Sequence, residues 1–304
     1  MNNRVVLALV IAAFTIFLCW SVSIRQSLLF LVGIGLGATL AGARFGFTTG
    51  WRHLIERRDA SGVFAQLILI AIAAAFSLPL LAMFPSELSA ALGPPSISLL
   101  IGALVFGAAM QIADGCGSGT LYKAGLGIPL NMTLLPIFAL GSFLGSAHLG
   151  WWLELGQVQP VSLVTEVGLS GALGVTYLGL LLLGLAAWGW SKTATLSTAL
   201  FNKRLLLGAL FIALLAVLNL IIAGQPWGVV YGFGLWVAKI AQAADIFEPA
   251  SNVFWSQPVN ANALTQSLFL DITSITNIGI LAGALWIFAR HKTPPHSRLV
   301  QNNG

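Results

Sequence analysis

Apolar residues in this chain fill long unbroken blocks instead of alternating with charges. A membrane-crossing helix needs about 20 such residues. Blocks of that kind lie near 4–22, 27–44, 62–83, 97–113, 130–150, 170–190, 204–223 and 266–289. Polar positions gather between them in short turns such as Phe84-Pro85-Ser86-Glu87, Gly93-Pro94-Pro95-Ser96 and Gln157-Val158-Gln159-Pro160. Ser96 stands directly before a block and is expected to N-cap it, with prolines just ahead, where helices begin. The stretch 226–242 breaks the pattern: it is short, rich in glycine and carries Lys239 near its end. That predicts a re-entrant or broken helix.

Composition sharpens the class. Hydrophobic residues occupy 58% of 304 positions and charged residues 8%, against about 25% charged in soluble domains. Such a chain cannot cover a water-facing surface, so its solvent is a lipid bilayer. The predicted fold is all-α: a polytopic membrane bundle of about eight to nine transmembrane helices, with short re-entrant helices in pseudo-symmetric repeats. Residues 1–292 are expected to form one transmembrane domain and 293–304 a polar, disordered tail. Residues 1–23 resemble a secretory signal, but the series of blocks that follows makes them the first span.

The net charge of +5 forms no basic stripe, so nucleic acid is not expected as a partner. Instead Arg4, the cluster Arg52-His53…Arg57-Arg58, Lys123, Lys192 with Lys203-Arg204, and Arg290, Lys292 and Arg298 fall at alternate ends of successive blocks. Glu87, Glu154, Glu166, Asp245 and Glu248 occupy the other connections. The excess of positive charge on cytoplasmic loops then places both termini in the cytoplasm. This parity requires eight full spans, with 226–242 entering and leaving on one side.

One run carries chemistry. Asp114-Gly115-Cys116-Gly117-Ser118-Gly119-Thr120, continuing to Lys123 and Gly127, sets an acid, a thiol, five glycines and a lysine inside apolar surroundings. Irregular backbone at membrane depth is tolerated only inside protein or along a wet cavity, and ionisable residues there are functional hypotheses by default. The glycines allow a nest of amides, and a helix beginning at Ser118 or Thr120 would add the positive end of its dipole. Close helix packing through small residues is the competing reading. Asp114 and Lys123 on either side of the glycines favour a lined path.

Cys116, between two glycines, needs no thiol for packing and could contact a soft sulfur-bearing anion. Cys19, within Ile16-Phe17-Leu18-Cys19-Trp20, is expected to be core. Neither cysteine has metal-ligand spacing, and neither a metal nor a cofactor is expected. Shifting the chain by 69 residues lays Gly46 on Gly115, Thr49 on Ser118 and Gly50 on Gly119, a weak internal repeat. Arg44 and Arg52 would then offer positive charge at the mouth of the path. Asp271 to Asn277 is either a capping region or a polar wall.

Phe45-Gly46-Phe47-Thr48-Thr49-Gly50-Trp51-Arg52, the 114–122 run, Pro226-Trp227-Gly228 and Asp271…Thr273-Ser274…Asn277-Ile278-Gly279 occur in this order. Together they resemble the YeeE/YedE sulfur-transport family of bacterial inner-membrane proteins, over about 30 to 290. The resemblance implies uptake of thiosulfate or a related small sulfur anion, through re-entrant helices meeting at a narrow waist. It makes Cys116 a relay thiol cradled by Gly115, Gly117, Ser118 and Gly119. The chain departs from the family in having Gly46 where many members have cysteine, and no cysteine after 116.

The function expected is therefore a permease, not an enzyme, because His53, His148, His291 and His296 sit at block ends or in the tail, away from the thiol. The alternative is a non-transporting subunit that partners a second membrane polypeptide or a soluble sulfur-carrier protein.

Overall fold

A computed structural model describes residues 3–191 and 202–289. Lys192, Arg290, Lys292, Arg298 and the 293–304 tail lie outside the described residues. The elements are helices: α1 (Asn3–Ser21), α2 (Ile24–Ala43), α3 (Phe47–Arg57), α4 (Ser61–Met83), α5 (Ile97–Ala113), α6 (Gly117–Gly125), α7 (Pro129–Ala147), α8 (Leu149–Glu154) and α9 (Leu163–Trp190). They continue as α10 (Lys203–Ala223), α11 (Val229–Ala243), α12 (Pro258–Thr265) and α13 (Ile272–Phe288). Among the described residues seven helical stretches are long and apolar enough to cross a membrane, α2–α3 and α5–α6 each counting as one. Helices α11 and α13 are shorter and also apolar.

Ser96 caps α5 as its position predicts, its hydroxyl accepting from the Leu99 amide at 3.1 Å. Other boundaries move. The 130–150 block divides at His148, whose amide closes α7 on the Leu144 carbonyl before α8 begins. Helix α9 starts early, at Leu163, and turns at Gly168, whose φ of 69° is outside the helical range. The last block begins only at Ile272, where the Asp271 carboxylate accepts from the Ser274 amide at 2.6 Å, so this acid is a helix cap.

The bundle is built on α2 against α13. A β-carbon on Gly33 would lie 2.4 Å from the Thr276 carbonyl oxygen, one on Gly37 2.1 Å from that of Ile280, and one on Gly283 2.1 Å from that of Ile34. The two backbones touch, which only small residues permit where dispersion must replace the hydrophobic effect. The contacts advance along both helices together, so α2 and α13 are parallel. Helix α10 packs on α2, α4 on α10 and α9 on α4, while α6 lies between α13 and α7.

Both ends of the described chain lie on one side, since Arg4 Nε donates to the Ala289 carbonyl at 2.9 Å. The opposite side holds the start of α2 and the end of α10, where Arg25 donates to the carbonyls of Ile222 and Ala223 at 2.8 and 2.7 Å. From Gly224 the chain dives to Val229, whose carbonyl accepts from Asn277 Nδ2, one turn and more into α13. It climbs back through Trp236, bonded to Ser274, and Lys239, bonded to the carbonyls of Leu264 and Gln266 just ahead of α13. Residues 224–243 are re-entrant. At 15 residues α11 is about 22 Å long, short of a crossing.

Helix α1 stands apart. Among the residues of α1 described from Arg4 on, Leu18 alone is fully buried, and Cys19 is exposed on its outer face. The expectation of a core cysteine is therefore corrected: α1 packs on α2 along a single edge, and the flanking positions face outward.

Candidate functional site

The breaks in α2–α3 and α5–α6 have the same form. Arg44 and Asp114 each end a helix in the left-handed conformation, with φ of 51° in both. Two residues later Gly46 and Cys116 are the N-caps of α3 and α6. The repeat is real in structure, with an offset of 70 and not 69. Gly46 falls on Cys116, and Thr48 on Ser118.

A broken helix leaves carbonyls without partners, and in a membrane they must be satisfied by protein. At the end of α5 the Gln111 carbonyl accepts from Arg52 Nη2 at 2.9 Å, that of Ala113 from Asn131 Nδ2 at 3.2 Å, and that of Asp114 from Lys123 Nζ. The Asp114 carboxylate then pairs with both cations, Arg52 at 3.0 Å and Lys123 at 2.7 Å. The same device recurs, with Arg204 on the Gly42 carbonyl of α2 and Arg58 on that of Trp190. Lys123, 8% exposed, thus acts as a cap first. Arg44 differs: it is exposed and, among the described residues, its side chain has no hydrogen-bond or ion-pair partner.

The opposite end of each break carries free amides. Among the described residues no acceptor meets the amides of Gly117, Ser118 and Gly119, because Cys116 supplies no side-chain cap. The Cys116 thiol lies 3.4 Å from the Ser118 hydroxyl, and its sulfur 3.6 Å from where a β-carbon on Gly119 would sit. Gly117 faces the tip of the re-entrant segment, with Val230 3.2 Å from its β-carbon position, so the N-termini of α6 and α11 meet there, and Phe138 of α7 lies 3.4 Å from the same point. Nearby, Thr48 Oγ1, Gln66 Oε1, Thr120 Oγ1 and Asn277 Oδ1 are buried without a partner among the described residues. Such groups are costly in apolar surroundings and common where polar cargo passes. Outside them an open basin of about 690 Å³ is lined by Thr49, Arg52, His53, Glu56, Arg57 and Gln111.

Residues 42–295 match the family described as sulphur transport. The chain belongs to that family. The probable transporter YedE of Salmonella typhimurium is 29% identical over 180 residues, which cover 55% of this chain and 42% of that protein. The matching stretch therefore spans less than half the length of that relative. This sulphur-transport chain is a multi-pass membrane protein, and the resemblance in its motifs to YeeE/YedE proteins is borne out.

Of the residues expected at the path, the structure brings Asp114, Gly115, Cys116, Gly117, Ser118, Gly119, Lys123 and Arg52 into one cluster at the α5–α6 break. Gly46 is joined to it through Tyr122, whose hydroxyl lies 3.8 Å from the Gly46 β-carbon position. Thr49 and Arg52 line the basin. Gly50 does something else. Its β-carbon would strike Gly62 at 3.0 Å, so it is a packing contact between α3 and α4. Sequence reasoning missed Tyr122 and Gln66, the latter visible only as one polar position in an apolar helix. Asn277 belongs to the 271–277 stretch expected as a cap or a polar wall: Asp271 caps α13, and Asn277 donates to the Val229 carbonyl.

Proposed function

We propose that this chain is an inner-membrane permease for thiosulfate or a related small sulfur-containing anion, with both termini in the cytoplasm. The observation that carries the reading is the unpaired first turn of α6, three amides beside a thiol, with Gly117 against the tip of a re-entrant helix. Amide nests and helix N-termini bind anions. A neutral thiol is a weak donor and a soft, polarizable contact, matched to the terminal sulfur of thiosulfate. No covalent change is needed. Arg44 attracts the anion, while Arg52 and Lys123, which share the single Asp114 carboxylate and keep a net positive charge, hold the geometry. Several weak contacts in series let the anion leave as readily as it enters.

The test is growth on thiosulfate as sole sulfur source in a host lacking its own uptake system. Cys116→Ala is expected to slow uptake about three- to tenfold, the worth of one weak hydrogen bond. Equal growth of variant and wild type would remove the thiol from the account. The alternative, a non-transporting subunit serving a second membrane polypeptide or a soluble sulfur carrier, has one observation on its side: α5 buries none of its residues within the chain. Uptake by the purified chain alone excludes that alternative.

A further inference from the structure

The repeat leaves α3 with an N-terminus like that of α6 but without its thiol. Gly46 caps α3 with no side chain, and among the described residues the amides of Phe47, Thr48 and Thr49 have no acceptor. A polar group stands at this end all the same, and it comes from the other repeat. Tyr122 is 3% exposed. Its hydroxyl lies 3.8 Å from the β-carbon position of Gly46, beside Thr49 Oγ1 at 3.2 Å from the same point. Among the described residues that hydroxyl makes no hydrogen bond, and unlike Thr120 Oγ1 its oxygen is not fully sealed away, so it opens on space beside the α3 N-terminus. Asp114, Cys116 and Arg44 lie close enough to act on it electrostatically.

We propose that Tyr122 is a substrate-contacting residue, its hydroxyl donating to the anion at the N-terminus of α3, in the place that the Cys116 thiol takes at the N-terminus of α6. Packing alone does not ask for the hydroxyl, since phenylalanine fills the same volume. A substituent at Gly46 would project toward the phenol oxygen, so the bare backbone of one repeat and the tyrosine of the other are complementary. The cargo then moves between two amide nests, one topped by a thiol and one by a phenol. The phenol is the better donor to oxygen and the thiol the softer partner for sulfur. The two ends of a thiosulfate-like anion, three oxygens and one sulfur, are thereby told apart.

This inference rests on the transport reading above, and one experiment separates the two. Initial rates of thiosulfate uptake are measured in proteoliposomes for wild type and Tyr122→Phe. Tyr122→Phe is expected to raise KM about three- to tenfold with the maximal rate and melting temperature unchanged, the signature of a lost contact and not of a lost fold. Wild-type KM in Tyr122→Phe overturns the tyrosine assignment and leaves the transport reading standing. A loss confined to the maximal rate with a lowered melting temperature also overturns it. A wild type that takes up nothing overturns the transport reading, and the tyrosine assignment with it.

Discussion

Gly37→Ala is expected to undo the docking of α2 on α13. The added carbon would sit 2.1 Å from the Ile280 carbonyl oxygen and 2.7 Å from its Cα, and both are backbone that cannot rotate away. Inserting one methyl into a tight core ordinarily costs about 1–3 kcal/mol, and a backbone partner puts this site at about 3 kcal/mol or above. The whole bundle is arranged around this pair, since α10, α1 and α6 all pack on one or other of its members. The same change at Gly102 or Gly107 of α5, where nothing lies within 4 Å of the added carbon, is expected to leave the protein as stable as before or slightly more so. Melting of the purified protein in detergent compares them directly. A Gly37→Ala variant that melts with wild type would refute the packing account.

Asp114→Ala is expected to be the second most damaging change. Its carboxylate answers two cations, but unequally. Arg52, 30% exposed in its side chain, can turn to water, whereas Lys123 at 11% cannot. Removing one member of a buried pair costs about 3–5 kcal/mol; Asp114 is itself 45% exposed, so screening reduces the figure to about 2–3 kcal/mol. The break between α5 and α6 would loosen and the first-turn amides of α6 would lose their aim. Replacing Lys123 by Met in the same molecule removes the stranded charge and is expected to recover part of the melting temperature. If Asp114→Ala alone melts as wild type does, the ion pairs do not hold the break.

Much of this architecture is written locally. Block lengths fix the crossings, the glycines and short length of 226–242 give its re-entrant path, and Ser96 marks its own helix start. Those features depend on neighbours in sequence. The basic residues are different. Their spacing along the chain reads as a topology signal, yet seven of them among the described residues donate to carbonyls at helix ends. Arg25 reaches Ile222 and Arg204 reaches Gly42, partners fixed only by how the helices pack. The repeat shows the same limit. Glycine matching favoured an offset of 69, because Gly46 and Gly115 are alike in kind. The backbone aligns by conformation instead, setting Gly46 opposite Cys116. Tyr122 escaped notice because, beside Leu121 in a run read through its glycines, charges and thiol, a tyrosine looks like core. Only its unpartnered hydroxyl, facing the other repeat, distinguishes it.

The central claim is that the amides and thiol at the head of α6 pass a sulfur-bearing anion through the membrane. Uptake of radiolabelled thiosulfate into proteoliposomes holding the purified chain alone tests it most directly. Saturable uptake above that of protein-free vesicles, competed by excess unlabelled thiosulfate and much less by sulfate, is the result expected. Accumulation no greater than in protein-free vesicles would contradict it.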